Sequence, residues 1–298
     1  AALPLSHFSN YMPKEFSSIS QVLETYYATR NQLTRIRQKS ADLRHVVQTA
    51  LERNRKKYDL QLRQLKDTES RDKYKVYGEL INTYGYNVAP GEKKLEALNY
   101  YTNEIVSIPL DPVRTPQENA QRYFAKYNKQ KRTFEALSEL IQETADEIRY
   151  LESVSNSLDI ALSEADLGQI KEELTASGYV RRKFTKKKVK LTNKPMHYIS
   201  SDGYDIYVGK NNIQNDELTF SFANGGDWWF HAKGAPGSHV IVKTNGDELP
   251  DRTFEEAGRL AAYYSKNRGS DKVEIDYIEK KHVKKPNGAK PGFVVYYT

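Results

Sequence analysis

The stretch Asp227-Trp228-Trp229-Phe230-His231-Ala232-Lys233-Gly234-Ala235-Pro236-Gly237-Ser238-His239-Val240 concentrates side chains that can do chemistry. It holds both tryptophans and two of the six histidines. Asp227, His231 and His239 are residue types of a metal site, but two imidazoles and one carboxylate without tight spacing make a weak ligand set. Two other readings stay open for the histidines. One is structural imidazoles hydrogen-bonded within a hairpin. The other is contact with phosphates or bases, with Trp and His as stacking faces. No Gly-x-Ser-x-Gly, Walker loop, Cys-His pair or His-Glu-x-x-His occurs in the chain. The expectation is a binding protein and not an enzyme, with no metal and no cofactor. Within the stretch, Asp227 and the tryptophans are expected to fix the fold. If the stretch binds RNA, His231, Lys233, Ser238 and His239 are the residues expected to touch it.

Basic side chains offer a second chemistry. Arg122, Lys126 and Lys129 stand at i, i+4 and i+7 and so share a helical face, with Tyr123, Phe124 and Tyr127 interleaved. Cations at phosphate spacing among aromatics suit RNA. The competing reading is a solvated coiled-coil face with aromatic core positions. From Arg181 to Lys190, seven of ten residues are basic. Such a block stays exposed unless an anion neutralises it. It reads as a solvated linker, a nucleic-acid contact or a membrane-surface patch, and the lack of an apolar amphipathic face weakens the last. From these blocks Arg181, Arg182, Lys183, Lys186, Lys187 and Lys188 join the RNA-contact set. Lys210, Lys280, Lys281, Lys284 and Lys285 complete it.

Two long helices must carry much of this. From Ile19 an apolar stripe of Val22, Tyr26, Leu33, Ile36, Leu43 and Val47 keeps coiled-coil spacing. It shifts to Leu51, Tyr58, Leu62 and Leu65, as a stutter produces. No Gly or Pro lies between Pro13 and Gly78, so one helix over about 18–68 is expected, ~75 Å long. A second helix starts at Pro116, suited to a first turn, and runs to about 163 through Phe124, Phe134, Leu137, Ile141, Ile148 and Leu158. Neither folds alone, so an antiparallel coiled-coil arm is expected over 19–165. Residues 69–116 become a knob with a helix from Lys73 to Thr83 and strands near 95–101 and 104–110. Its tyrosines form either a small core or a recognition tip.

Residues 166–195 read as a short helix and a basic linker. Residues 196–298 read as a compact α+β domain of about five strands and one main helix. Its expected strands are 204–208, 228–232, 238–243, 273–278 and 293–297, and its main helix is 251–267. Residues 228–232 and 238–243 pair as a hairpin across Gly234, Pro236 and Gly237. Leu218 to Ala223 suits helix or strand.

The chain has 298 residues and a formal charge of +7, which allows about two domains. It contains no cysteine, which removes disulfides, thiolate chemistry and Cys-ligated zinc. That composition fits a reducing cytosol and equally the cysteine-free surface proteins of Gram-positive bacteria. No run of about 18 apolar residues occurs, so no membrane insertion is expected. The start lacks the n- and h-regions of a signal peptide and lacks Met, so the chain is expected to begin inside a longer protein.

The runs Val208-Gly209-Lys210-Asn211-Asn212-Ile213-Gln214-Asn215-Asp216, Asp227-Trp228-Trp229-Phe230-His231-Ala232 and Pro236-Gly237-Ser238-His239-Val240 resemble the NFACT-R domain. So do Ala261-Ala262-Tyr263-Tyr264-Ser265 and Val283-Lys284-Lys285-Pro286-Asn287-Gly288-Ala289-Lys290-Pro291-Gly292. Tyr77-Gly78-Glu79-Leu80, Leu110-Asp111-Pro112 and Asn119-Ala120-Gln121-Arg122-Tyr123-Phe124 are similar to the coiled coil of the same family. It comprises bacterial RqcH proteins, long called fibronectin-binding protein A-like, and eukaryotic NEMF. The likeness covers nearly the whole chain. One departure is Trp229-Phe230, where a smaller aliphatic followed by Leu is the family pattern. The resemblance implies ribosome-associated quality control in the cytoplasm, with the large ribosomal subunit, rRNA and tRNA as partners and C-terminal alanine tailing as the outcome. It also implies an alternative, a cell-surface adhesin for host fibronectin or fibrinogen, although no fibronectin-binding repeat is visible.

Overall fold

The computed structural model describes residues 15–181, 193–244 and 246–297. They divide into two compact units, Ala50–Arg149 and the pair of segments Ala1–Thr49 and Tyr150–Thr298. The combination of long helices with an antiparallel sheet is the α+β class that the residue patterns indicate.

The first unit contains the end of helix α2 (Ala41–Asp67), helix α3 (Asp72–Tyr84), strands β1 (Lys94–Asn99) and β2 (Glu104–Pro109), and the start of helix α4 (Pro116–Ile160). Pro116 opens α4 behind a capping box. The Thr115 hydroxyl accepts the Glu118 N–H, and the Glu118 carboxylate accepts the Thr115 N–H. Strands β1 and β2 pair antiparallel from Lys94↔Pro109 to Asn99↔Glu104. Period-two alternation turns Leu95 and Ala97 inward, onto Leu80, Ile81 and Ile108. Gly78 permits the close approach of α3 to α4, because a Cβ there would lie 2.8 Å from the Phe124 ring. Tyr77, Tyr84 and Tyr123 pack on this core, whereas Tyr86 and Tyr101 are exposed. The tyrosines are therefore core in part, as the first of the two expectations has it, and in part at the surface.

In the second unit, helix α1 (Ile19–Lys39) starts at Ser18, whose hydroxyl accepts the Gln21 N–H. The stretch expected to be one helix over 18–68 is two, meeting at Ser40. This serine is fully buried with ψ of −7°, and its hydroxyl donates to the Arg37 carbonyl and accepts from Arg44 Nε. The near-zero ψ tightens that turn and breaks the regular helix. Arg44 at the start of α2 also reaches the Leu158 carbonyl and the Asp159 carboxylate on α4. Helix α5 (Glu164–Ala176) follows, capped by Ser163 and Asp166.

The rest of this unit is built on a five-stranded antiparallel sheet. Its strands are β3 (Met196–Ile199), β4 (Asp205–Val208), β5 (Trp228–Ala232), β6 (Val240–Val242) and β7 (Ile275–Glu279), in the order β3-β4-β6-β5-β7. Helix α7 (Asp251–Tyr263) covers one face through Ala257, Ala261 and Phe254, over Ile206, Val208, Phe230 and Val242. The other face buries Trp229 and Ile241 under Leu218, Val283, Val294 and Tyr296. Short helix α6 (Asn212–Asp216) runs into a π-helical turn at Glu217–Phe222. No helix among the described residues is long and apolar enough to cross a membrane.

Two strand expectations need correction. The sheet has five strands, but β3 takes the place of the strand expected at 293–297. There only an isolated bridge, Lys284↔Val295, forms. Gly292 turns with φ of 81° and gives its N–H to the Asp216 carboxylate, which ties the segment to α6. Likewise β6 is shorter than 238–243, because the His239 N–H goes to the Asn215 side chain and not to a neighbouring strand.

Candidate nucleic-acid interface

The hairpin β5–β6 holds its chemistry inward. Trp229 and Phe230 are fully buried, and Trp228 is half-buried against Phe254 at 5.3 Å between ring centroids. The Asp227 carboxylate accepts the N–H groups of Asn224 and Thr244 and pairs with Lys243. It is thus a fold-fixing residue. Ser238 and His239 are each 2 % exposed. His239 Nδ1 hydrogen-bonds Thr219 at 2.8 Å. These two residues do not face an external ligand, which corrects the expectation of RNA contact. His231 is half-buried, its ring stacked on Trp229 and edge-on to His239 at 5.5 Å. Burial lowers the His231 pKa to about 4. Burial, then the neighbouring His231, pushes His239 well below the ordinary histidine range. Both rings are therefore neutral at neutral pH. Among the described residues, no group of three His, Cys, Asp or Glu side chains is placed to hold a metal ion.

The run from Lys210 to Asp216 also turns inward, through a network of amides. Lys210 lies 3.3 Å from the Asp166 carboxylate and donates to Asn193. Asn211 caps α6 and reaches Gln169, which also receives Gln214. Asn212 donates to Ser153 and Glu173, and Asn215 holds the backbone of His239 and Gly237. Asp216 pairs with Lys285. Burial raises Asp166, yet hydrogen bonds from Asn193, Leu162 and Ser163 and the Lys210 charge outweigh it and hold this carboxyl low. Lys210, expected to meet RNA, instead ties the module of five strands to α5. Lys285, expected likewise, holds Asp216 and the Lys290 carbonyl within the module. A run of polar residues this dense signals buried function in sequence, but only the partners on α5 reveal which.

Other cations remain at the surface. Lys233 is exposed, with Glu274 and Asp276 carboxylates 4.0 Å away. Lys280, Lys281 and His282 form a 3₁₀ turn after β7, Lys281 beside Glu279. Lys281 and Lys284 are exposed, as is Arg181. Arg182, Lys183, Lys186, Lys187 and Lys188 lie outside the described residues.

In the other unit Arg122, Lys126 and Lys129 are exposed along α4. Lys126 Nζ stands 4.1 Å from the centre of the Tyr74 ring, and Lys73 Nζ stands 5.1 Å from the same ring. A hydrogen bond from Lys126, then its charge and that of Lys73, lowers the Tyr74 pKa. Tyr74 stacks on Tyr123 at 6.1 Å, and Arg71 lies over Phe134 at 4.0 Å. Arg122 is partly engaged by Asp111 at 3.4 Å. Sequence reasoning placed Tyr74 among the knob's tyrosines but did not join it, or Lys73, to the cations of α4, because both come from α3 and reach this face only through tertiary packing.

Residues 1–193 match the family model of the NFACT N-terminal and middle domains, and residues 194–297 match that of the NFACT protein RNA binding domain. The Rqc2 homolog RqcH of Streptococcus suis is 44 % identical over 297 residues, covering 99 % of this chain and 53 % of that protein. The Rqc2 homolog RqcH of Bacillus subtilis is 39 % identical over 299 residues, covering 99 % and 52 %. Mouse ribosome quality control complex subunit NEMF is 37 % identical over 81 residues, 26 % of this chain and 8 % of that one. The chain spans about half the length of the bacterial relatives. A solved structure, the C-terminal part of the fibronectin/fibrinogen-binding protein of Streptococcus suis, superposes with a TM-score of 0.68 at 40 % identity. That match covers 89 % of this chain and 92 % of the solved one.

Proposed function

The chain belongs to the NFACT protein family, and we propose that it is the RNA- and ribosome-binding part of a ribosome-associated quality-control factor. In this reading it binds the large ribosomal subunit and tRNA in the cytoplasm and supports C-terminal alanine tailing. In this reading the chain acts by binding and not by catalysis. The observation that carries the reading is the match of residues 194–297 to an RNA-binding domain. Exposed cations in both units support it. Lys126 and Lys73 flank Tyr74 on one, with Lys129 further along the same helix, and Lys281, Lys284 and Lys233 lie on the other. Such cations meet phosphates, and the contact weakens as salt competes for them. Measuring RNA affinity of the full chain against salt tests this. A steep fall is expected, and affinity independent of salt removes the physical basis.

A second reading is binding of host fibronectin or fibrinogen at the cell surface. Its support is the similarity to the streptococcal structure of that description. Direct binding of the nuclease-treated chain to fibronectin at physiological salt separates the two. Binding abolished by nuclease identifies RNA as the bridge.

A further inference from the structure

The face of the sheet opposite α7 is covered at its centre but open along β3 and β4. His197 and Tyr207 are register partners on these strands, and their rings stack with centroids 4.6 Å apart and planes 15° from parallel. The Tyr207 ring meets Phe222 edge-on at 4.7 Å. Ile199 and Asp205 share this face by period-two alternation. Ile199 is 68 % exposed and Phe222 is 42 % exposed, and β3 is the outermost strand of the sheet. A cross-strand ring pair stabilises a sheet. Sheet stability alone does not account for Phe222, which leaves the π-helical turn and presents its ring to solvent.

We propose that the exposed His197 and Phe222 rings, held on either side of the half-buried Tyr207, form a stacking platform for unpaired bases of single-stranded RNA. The inference rests on the reading that residues 194–297 bind RNA. Base stacking on aromatic rings needs a flat, exposed π-face and tolerates any sequence. The charge pattern favours bases over phosphates on the strip itself. It carries no Lys or Arg, and the Asp205 carboxylate sits 2.6 Å from His197 Nε2. An exposed cation, Lys194, stands at its margin just before β3. Lys243 Nζ, 4.9 Å from the Phe222 ring centre, is held by Asp227 and fixes that ring from below. The carboxylate also offers an acceptor to the amino and imino groups on base edges.

The test uses the full 298-residue chain and two labelled probes of equal phosphate number, a single-stranded RNA and an RNA duplex. His197→Ala and Phe222→Ala remove exposed rings, and unfolding curves of both variants confirm the fold. Each is expected to weaken single-strand binding roughly tenfold and to leave duplex binding unchanged, with His197→Tyr restoring affinity. Wild-type single-strand affinity in both variants overturns the platform while leaving RNA binding intact. Equal loss on both probes also overturns it, since stacking is not then what was removed. A wild-type chain that binds neither probe removes the RNA-binding reading and the platform together.

Discussion

Asn212 on α6 donates its side-chain amide to Glu173 on α5 at 2.8 Å. The carboxyl is 2 % exposed, and burial, with the Asp216 charge adding to it, raises its pKa to about 7. A group whose pKa rises on folding holds its proton in the folded state after the unfolded chain has released it. Its contribution is therefore fully present below about pH 4.5 and declines as pH rises to about 7. The decline amounts to about 3 kcal/mol over that window. Glu173→Gln mimics the protonated form. It is expected to melt like wild type at pH 5 and at higher temperature at pH 8. Equal melting temperatures at both pH values contradict this account of the Glu173 carboxyl.

The neutral histidine pair has the opposite sign. His231 and His239 are depressed by burial, so the unfolded chain takes up protons first as pH falls below about 6.5. The stability they contribute is present above that pH and is lost as pH falls toward 4. His231→Phe keeps the stack on Trp229 and is expected to reduce the acid loss measured by denaturant unfolding at pH 7.5 and 4.5. An unchanged difference between the two pH values shows that His231 is not the acid-sensitive group.

The two tryptophans are unequal. Trp229 is fully buried between His231, His239 and Tyr296, whereas Trp228 is half-buried. Trp229→Ala is expected to cost about 3–5 kcal/mol, and Trp228→Ala less. Denaturant midpoints that rank them the other way contradict the assignment of burial.

Lys210 and Lys126 separate architecture from binding. Lys210→Ala strips the buried Asp166 of its cation and is expected to cost about 1–3 kcal/mol. RNA affinity per folded molecule stays as in wild type. Lys126→Ala is expected to leave the melting temperature within a degree or so and to lower the salt slope of RNA binding by about 0.7–0.9. A Lys210→Ala protein that folds normally but binds RNA poorly reverses the two assignments.

Much of the fold can be read from local pattern. The stripes of α2 and α4, the alternation of β1 and the turn at Gly234 to Gly237 each follow from nearest neighbours. The break at Ser40 cannot, because it depends on Arg44 and on what buries that serine. Strand β3 was invisible because Met196-His197-Tyr198-Ile199 is short and follows a basic run. The candidate site is legible in half. Residue type identifies Lys126, Lys233 and Lys281 as cations at the surface. It cannot separate them from Lys210 and Lys285, whose carboxylate partners lie 44 and 69 residues away in sequence. Histidines at a hairpin look like ligands until the ring packing of Trp229 is known.

The central claim is that exposed cations in both units bind ribosomal RNA. Gradient co-sedimentation with purified large ribosomal subunits tests it most directly, comparing wild type with a Lys126→Glu/Lys129→Glu/Lys281→Glu/Lys284→Glu variant. Wild type is expected in the subunit fractions at low salt and at the top of the gradient at high salt, with the folded variant at the top in both. A variant that travels with the subunit as well as wild type at every salt concentration contradicts the account.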